Sequence, residues 1–228
     1  MEFKPHAYQQ HCINKIIEIK KLGLFLDMGL GKTVTTLTAV KELKYNRFLV
    51  RRVLVIAPKK VAEGTWTREA AKWGHTQMLR VSPVLGSQTK RIRALNTPAD
   101  LYIINRENVC WLVDYYRNAW PFDMVVVDES SSFKSHSAKR FKALASVGDR
   151  IDRMVELTGT PSPNDLRTCG ARSSCWMGEN VWESGIPSLG RGISSRIREG
   201  RTAWCTAMRP SRERKQASWK RSPISVSA

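Results

Sequence analysis

The stretch LGLFLDMGLGKTVTTLTAV, residues 22–40, decides how the chain is read. Residues 22–26 form a short apolar run of the length of a buried strand. The run ends in DMGLGKT, residues 27–33, and from Lys32 onward apolar residues return at helical spacing through Leu37, Val40 and Leu43. A strand, a glycine turn and a helix in that order make a cradle for phosphate. Gly29 and Gly31 permit the tight turn and let backbone N–H groups come close, Lys32 brings a cation to the β- and γ-phosphates, and Thr33 can place its hydroxyl on magnesium. The helix that follows points its positive end at the same anion. The strict pattern G-x-x-x-x-G-K-T asks for glycine where this chain has Leu26, so one position departs from it. The competing reading is a plain strand-to-helix turn with an exposed lysine.

Working outward, an amphipathic helix is predicted over residues 8–20, with Ile13, Ile16 and Ile17 on one face. Strands are predicted at 53–57, 78–81, 101–104, 124–127 and 154–157, and helices at 62–73, 109–116 and 137–145. Continuous apolar strands separated by helices imply an α/β fold with a parallel sheet covered on both faces. Ligands of such sheets sit at the carboxyl ends of the strands. Asp128 and Glu129 follow three valines at one such end. An aspartate there can hold magnesium through water opposite Thr33, and the adjacent glutamate can orient and deprotonate an attacking water. Taken alone, two carboxylates after a strand are commonly a solvated turn; the phosphate cradle upstream is what gives them meaning.

The chain has 228 residues, 42% of them hydrophobic, which suits one sizeable domain and argues against wholesale disorder. Its apolar runs are too short to span a bilayer, and MEFKPHAYQQH lacks the apolar core of a signal peptide. Five Cys, none in a CxxC pair, and four scattered His make neither a disulfide framework nor a zinc site. A soluble, cytoplasmic chain is expected. The net charge of +18 points to a polyanionic partner. That charge is uneven: residues 167–228 hold 12 Lys+Arg against 4 Asp+Glu. Leucine occurs 16 times up to Leu166 and once afterwards, at Leu189. The expected division is therefore an organised domain over 1–166 and a basic, low-order tail over 167–228. Three origins compete for the tail: a nucleic-acid arm using Arg and Trp, an ordinary disordered extension, or translation out of frame. Its Trp and Cys and its lack of Asp favour the last.

With both motifs placed, the chain resembles the first motor lobe of superfamily-two helicases, and most closely the Swi/Snf-like DNA translocases. HAYQQ, residues 6–10, resembles the family's adenine-reading element, with Gln9 the contact. DMGLGKT matches its phosphate loop, so that Met28, Gly29, Leu30, Gly31, Lys32, Thr33 and Val34 line the nucleotide. VLVIAPKKVAEGTWTREAAKW, residues 53–73, is similar to the segment that touches the nucleic-acid backbone, which makes Lys59 and Lys60 candidate phosphate contacts; an ordinary exposed loop is the alternative. DESSSFKS, residues 128–135, resembles the DEAH-type box, with Ser131 where the family usually has His and Ser135 where it often has Asn. LTGTPSPN, residues 157–164, resembles the motif that couples hydrolysis to strand movement through Thr158, Gly159 and Thr160.

The resemblance implies a RecA-like P-loop fold, a three-layer sandwich about a mainly parallel sheet, and a protein that couples hydrolysis of ATP with Mg2+ to movement on double-stranded DNA. It stops near residue 166, and nothing after that resembles the second lobe, which in this family supplies the arginine fingers. A truncated, monomeric chain with weak hydrolysis is expected, with a separate chain as a possible source of that lobe. A phage or prophage origin in a bacterial host is expected too. A basic nucleic-acid-binding module with a vestigial nucleotide site is the alternative. A metabolic P-loop kinase is disfavoured, because it would need neither the glutamine element nor TGTP. Trp66 and Trp73, seven apart, are expected to pack in the core.

Overall fold

The computed structural model describes residues 1–129, 137–159, 194–197 and 203–207. Six parallel strands form the main body of the sheet: β1 (Lys21–Leu26), β2 (Val53–Ala57), β3 (Val81–Val84), β4 (Leu101–Asn105), β5 (Met124–Asp128) and β6 (Arg153–Thr158). They lie in the order β3-β4-β2-β5-β6-β1. Two short strands from the basic segment, β7 (Ser194–Ile197) and β8 (Ala203–Ala207), extend the sheet beyond β1. β8 runs parallel to β1, and β7 runs antiparallel to β8. Neither strand is legible in the sequence, because the apolar residues of 167–228 keep no period of two.

The apolar runs of the strands have a direct cause. Alternate residues of each strand enter opposite faces, and both faces are covered. Val53, Val55 and Ala57 of β2 join one core cluster, Leu54 and Ile56 the other. All five are fully buried. Helices α1 (Ala7–Glu18), α2 (Lys32–Lys41) and α4 (Thr65–Lys72) cover the first face, and α6 (Val109–Tyr116) and α7 (Ser137–Ala145) the second.

α1 buries Gln9, Cys12, Ile13, Ile16 and Ile17, the i, i+3, i+4, i+7, i+8 stripe of a helix lying on a sheet. Its last turn is satisfied from β6: the Arg153 guanidinium donates to Ile16 O at 3.2 Å and Ile17 O at 3.1 Å. At the opposite end of the sheet from the loop 27–31, the buried Asp100 ties three elements together. It accepts from the Arg80 backbone at 2.8 Å and from Tyr45 Oη at 2.9 Å, and pairs with Lys44 Nζ and Arg80 Nη2, each at 3.2 Å.

Three elements differ from expectation. The helix expected over 62–73 is broken into α3 (Lys59–Ala62) and α4, with Gly64 as the α4 N-cap. The third strand lies at Val81–Val84 instead of 78–81 and contains Pro83, which an edge strand tolerates because one side of its backbone needs no ladder bond. A helix α5 (Gln88–Asn96), capped by Ser87, has no counterpart in the sequence reading; it buries only Leu95, so its apolar stripe is a single residue. The α2 helix also passes into a π-helical turn, Glu42–Asn46, which buries Leu43. Among the described residues no helix is long and apolar enough to cross a membrane.

Candidate functional site

The strand order explains why residues far apart in sequence meet. β6 lies between β1 and β5. Its register sets Leu157 beside both Leu24 and Asp128, and Thr158 beside Phe25. The carboxyl ends of three neighbouring strands thus carry the glycine loop, Thr158-Gly159 and Asp128-Glu129 side by side.

The loop after β1 turns through two left-handed glycines, Gly29 at φ 79° and Gly31 at φ 77°. At Gly31 space as well as angle demands glycine, because a Cβ there would lie 2.6 Å from Gln9 Nε2. Gln9 is nearly buried and is held at both ends of its amide. Its Oε1 accepts from His6 N at 2.9 Å, and its Nε2 donates to Leu30 O at 3.2 Å. Tyr8 Oη donates to the same carbonyl at 3.3 Å. The element expected to read adenine therefore packs directly on the loop.

Lys32 opens α2. Its Nζ donates to Leu26 O at 2.8 Å and Asp27 O at 3.3 Å, folded against the loop that precedes it. Burial lowers its pKa, opposed by the charges of Asp128, Asp27 and Glu129, so the ammonium and three carboxylates share one field. A Cβ on Gly159 would lie 3.4 Å from Lys32 Nζ and 3.4 Å from Met28 Cγ. Thr33 sits half-buried on the first turn of α2, and Val34 is buried behind it.

Burial pushes the Asp128 carboxyl up. A hydrogen bond from Trp66 works against that, Glu129 adds to it, and Lys32 opposes it. The bond from Trp66 Nε1 to Asp128 Oδ2 is 3.0 Å. Trp66 is 1% exposed, so its core role is as expected; its contact with the carboxylate was missed. The usable signal was chemical, since a buried indole N–H needs an acceptor. Glu129 is exposed with φ 59°, a left-handed non-glycine residue at a strand end, where strain tends to accompany function. Thr158 is 4% exposed, and its Oγ1 has no hydrogen-bond partner.

Lys59 and Lys60 are exposed on α3, which follows β2 directly; Lys59 Nζ lies 4.0 Å from Glu63. They are not part of the loop cluster. Thr160, Ser131 and Ser135 lie outside the described residues. Trp73 is half-buried, 5.3 Å from the Phe3 ring, with its indole on Glu69 at 2.9 Å.

The donor set fits a nucleoside triphosphate with a hard divalent cation. The glycine turn leaves no Cβ to block a phosphate, the lysine can exchange two backbone carbonyls for phosphate oxygens, and a carboxylate and a threonine hydroxyl offer oxygen ligands of the kind magnesium takes.

Fold and constellation together define a RecA-like α/β lobe with a glycine loop at the carboxyl end of its sheet. The model of the SNF2-related domain matches residues 8–171, and the chain belongs to that family. The p41 protein of Acyrthosiphon pisum secondary endosymbiont phage 1 is 42% identical over 170 residues, covering 72% of this chain and 37% of that protein. The DNA repair and recombination protein RAD54B of Mus musculus is 26% identical over 178 residues, covering 72% of this chain and 19% of its own. Among solved structures, the SWI2/SNF2 ATPase core of Sulfolobus solfataricus in complex with dsDNA superposes with a TM-score of 0.61 at 23% identity, over 77% of this chain and 36% of that one. The chain thus spans well under half the length of each of these relatives.

Proposed function

We propose that residues 1–166 form the nucleotide-binding lobe of a Swi/Snf-like motor that couples ATP hydrolysis to movement on double-stranded DNA. The observation that carries the reading is the meeting of Lys32, Asp128 and Gly159 around one glycine loop, although the three come from the two ends of the domain. Residues 28–34 cradle the phosphates, and Gln9 reads adenine. Thr33 and Asp128 hold magnesium, which when bound neutralises charge developing on the transferred phosphoryl group. Glu129 orients water and takes its proton. Thr158, Gly159 and Thr160 sense the nucleotide and relay its state, and Lys59 and Lys60 touch DNA phosphates. The family relationship supports these assignments.

Phosphoryl transfer in such motors relies on an arginine from the partner lobe, worth about a thousandfold or more. For residues 1–228 assayed alone, nucleotide binding with slow turnover is expected; a second lobe supplied in the assay should raise the rate. The phage relative supports a phage or prophage origin, and the proposed place of action is a bacterial host cell.

Equilibrium binding of a fluorescent ATP analogue in magnesium tests the reading. Lys32→Ala should weaken it by about tenfold or more, through loss of a charge-assisted contact. The net charge of +18 favours a second reading, a basic DNA-binding module with a vestigial nucleotide site. It predicts no nucleotide binding, DNA binding that survives Lys32→Ala, and no change in any nucleotide-dependent property.

A further inference from the structure

We propose that Trp66 is a positioning residue: its indole N–H holds the Asp128 carboxylate in the orientation that binds magnesium. The proposal rests on the nucleotide reading above.

Trp66 stands in the first turn of α4, and its bond to Asp128 Oδ2 crosses from that helix to the end of β5. Two other indoles among the described residues are satisfied locally. Trp120 donates to Phe122 O, two residues on, and Trp73 donates to Glu69, one helical turn back. Trp66 instead spends its only donor on a carboxylate 62 residues away in sequence. The geometry has a physical consequence. A carboxylate with no partner turns about its Cβ–Cγ bond and offers either oxygen in many directions. One held by a rigid, fully packed indole offers a single orientation, and no rotamer has to be frozen when the cation arrives. The indole itself cannot turn, because its ring fills the core between α4 and the sheet at 1% exposure. Lys32 acts on the same carboxylate as a nearby charge, whereas the indole N–H is a direct hydrogen-bond partner.

The test is a magnesium titration of fluorescent ATP-analogue binding, made with wild type, Trp66→Phe and Trp120→Phe. Trp66→Phe keeps most of the ring and removes the N–H. Trp120→Phe removes an indole bond elsewhere and controls for general destabilisation. Outer-shell changes of this kind typically cost about 10- to 100-fold in metal affinity. Trp66→Phe should therefore need about tenfold or more extra magnesium, with metal-free nucleotide binding unchanged and Trp120→Phe titrating like wild type. A Trp66→Phe curve that overlays wild type, or an equal displacement in Trp120→Phe, overturns the proposal. Wild type that binds no nucleotide at any magnesium concentration overturns the nucleotide reading as well, so the two failures are told apart. Should Trp66→Phe not fold, wild type labelled with 15N-tryptophan decides the matter. The indole N–H resonance displaced by Asp128→Ala must also move when magnesium is added to the nucleotide-bound protein; a resonance that stays in place overturns the proposal.

Discussion

Gly31 is the residue on which most local constraints converge. It sits at φ 77°, a region that costs an L-residue about 1–2 kcal/mol, and its missing side chain is the space that Gln9 Nε2 occupies. Gly31→Ala should lower stability by about 1–3 kcal/mol. It should also push the Gln9 amide off Leu30 O, and so weaken binding of adenine nucleotides more than binding of inorganic triphosphate. Urea unfolding and competition binding check the two parts; equal losses for both ligands would show that Gln9 does not report on the base. Lys32 presents a different constraint. Its ammonium is satisfied by two backbone carbonyls, so a phosphate must compete with those bonds and not with bulk water alone.

At the scale of elements, Asp100 organises the end of the sheet away from the loop. Burial opposes its charge, but hydrogen bonds from Arg80, Tyr45 and Lys44 outweigh that and hold the carboxyl below the usual range. Asp100→Asn should cost about 3 kcal/mol, because the half-buried Lys44 and Tyr45 lose their buried anionic partner. A depressed folded-state value stabilises the fold above the unfolded value of about 3.9, and that contribution vanishes as pH falls through the folded value. The difference in urea midpoint between wild type and Asp100→Asn should hold from about pH 5 to 8 and narrow below about pH 4. A difference independent of pH would assign the network to shape alone. The elements legible in the sequence were those whose burial leaves a pattern. β2 and α6 fall at the residues the apolar runs mark, Val53–Ala57 and Val109–Tyr116. α5 was illegible because one buried leucine among polar residues makes no stripe, and β3 because Pro83 reads as a strand breaker until the strand is known to be an edge. At the site, the glycine loop and Asp128-Glu129 were readable from residue types at strand ends. The indole behind Asp128 was not, since a tryptophan at helical spacing looks the same whether its N–H meets a carbonyl or a carboxylate.

For the whole molecule, charge is the property that acts at a distance. A net +18 predicts binding to duplex DNA with a steep dependence on salt. If six or more phosphates are engaged, affinity should fall by about a thousandfold or more between 50 and 200 mM salt, as fluorescence anisotropy of a labelled duplex would show. A flat profile would remove phosphate contact from the account. The insertion of β6 between β1 and β5 also has a bearing on how the polypeptide is born. Lys21 must wait for Met154 before its strand gains that neighbour, and Met124 likewise for Arg153. While a ribosome is still making the stretch between them, two inner flanks stand open, and pairing across so long a chain is slow and prone to wrong partners. On the proposed reading, the phosphate cradle is complete only when the sixth strand slots home, so a nascent chain would not bind nucleotide before then.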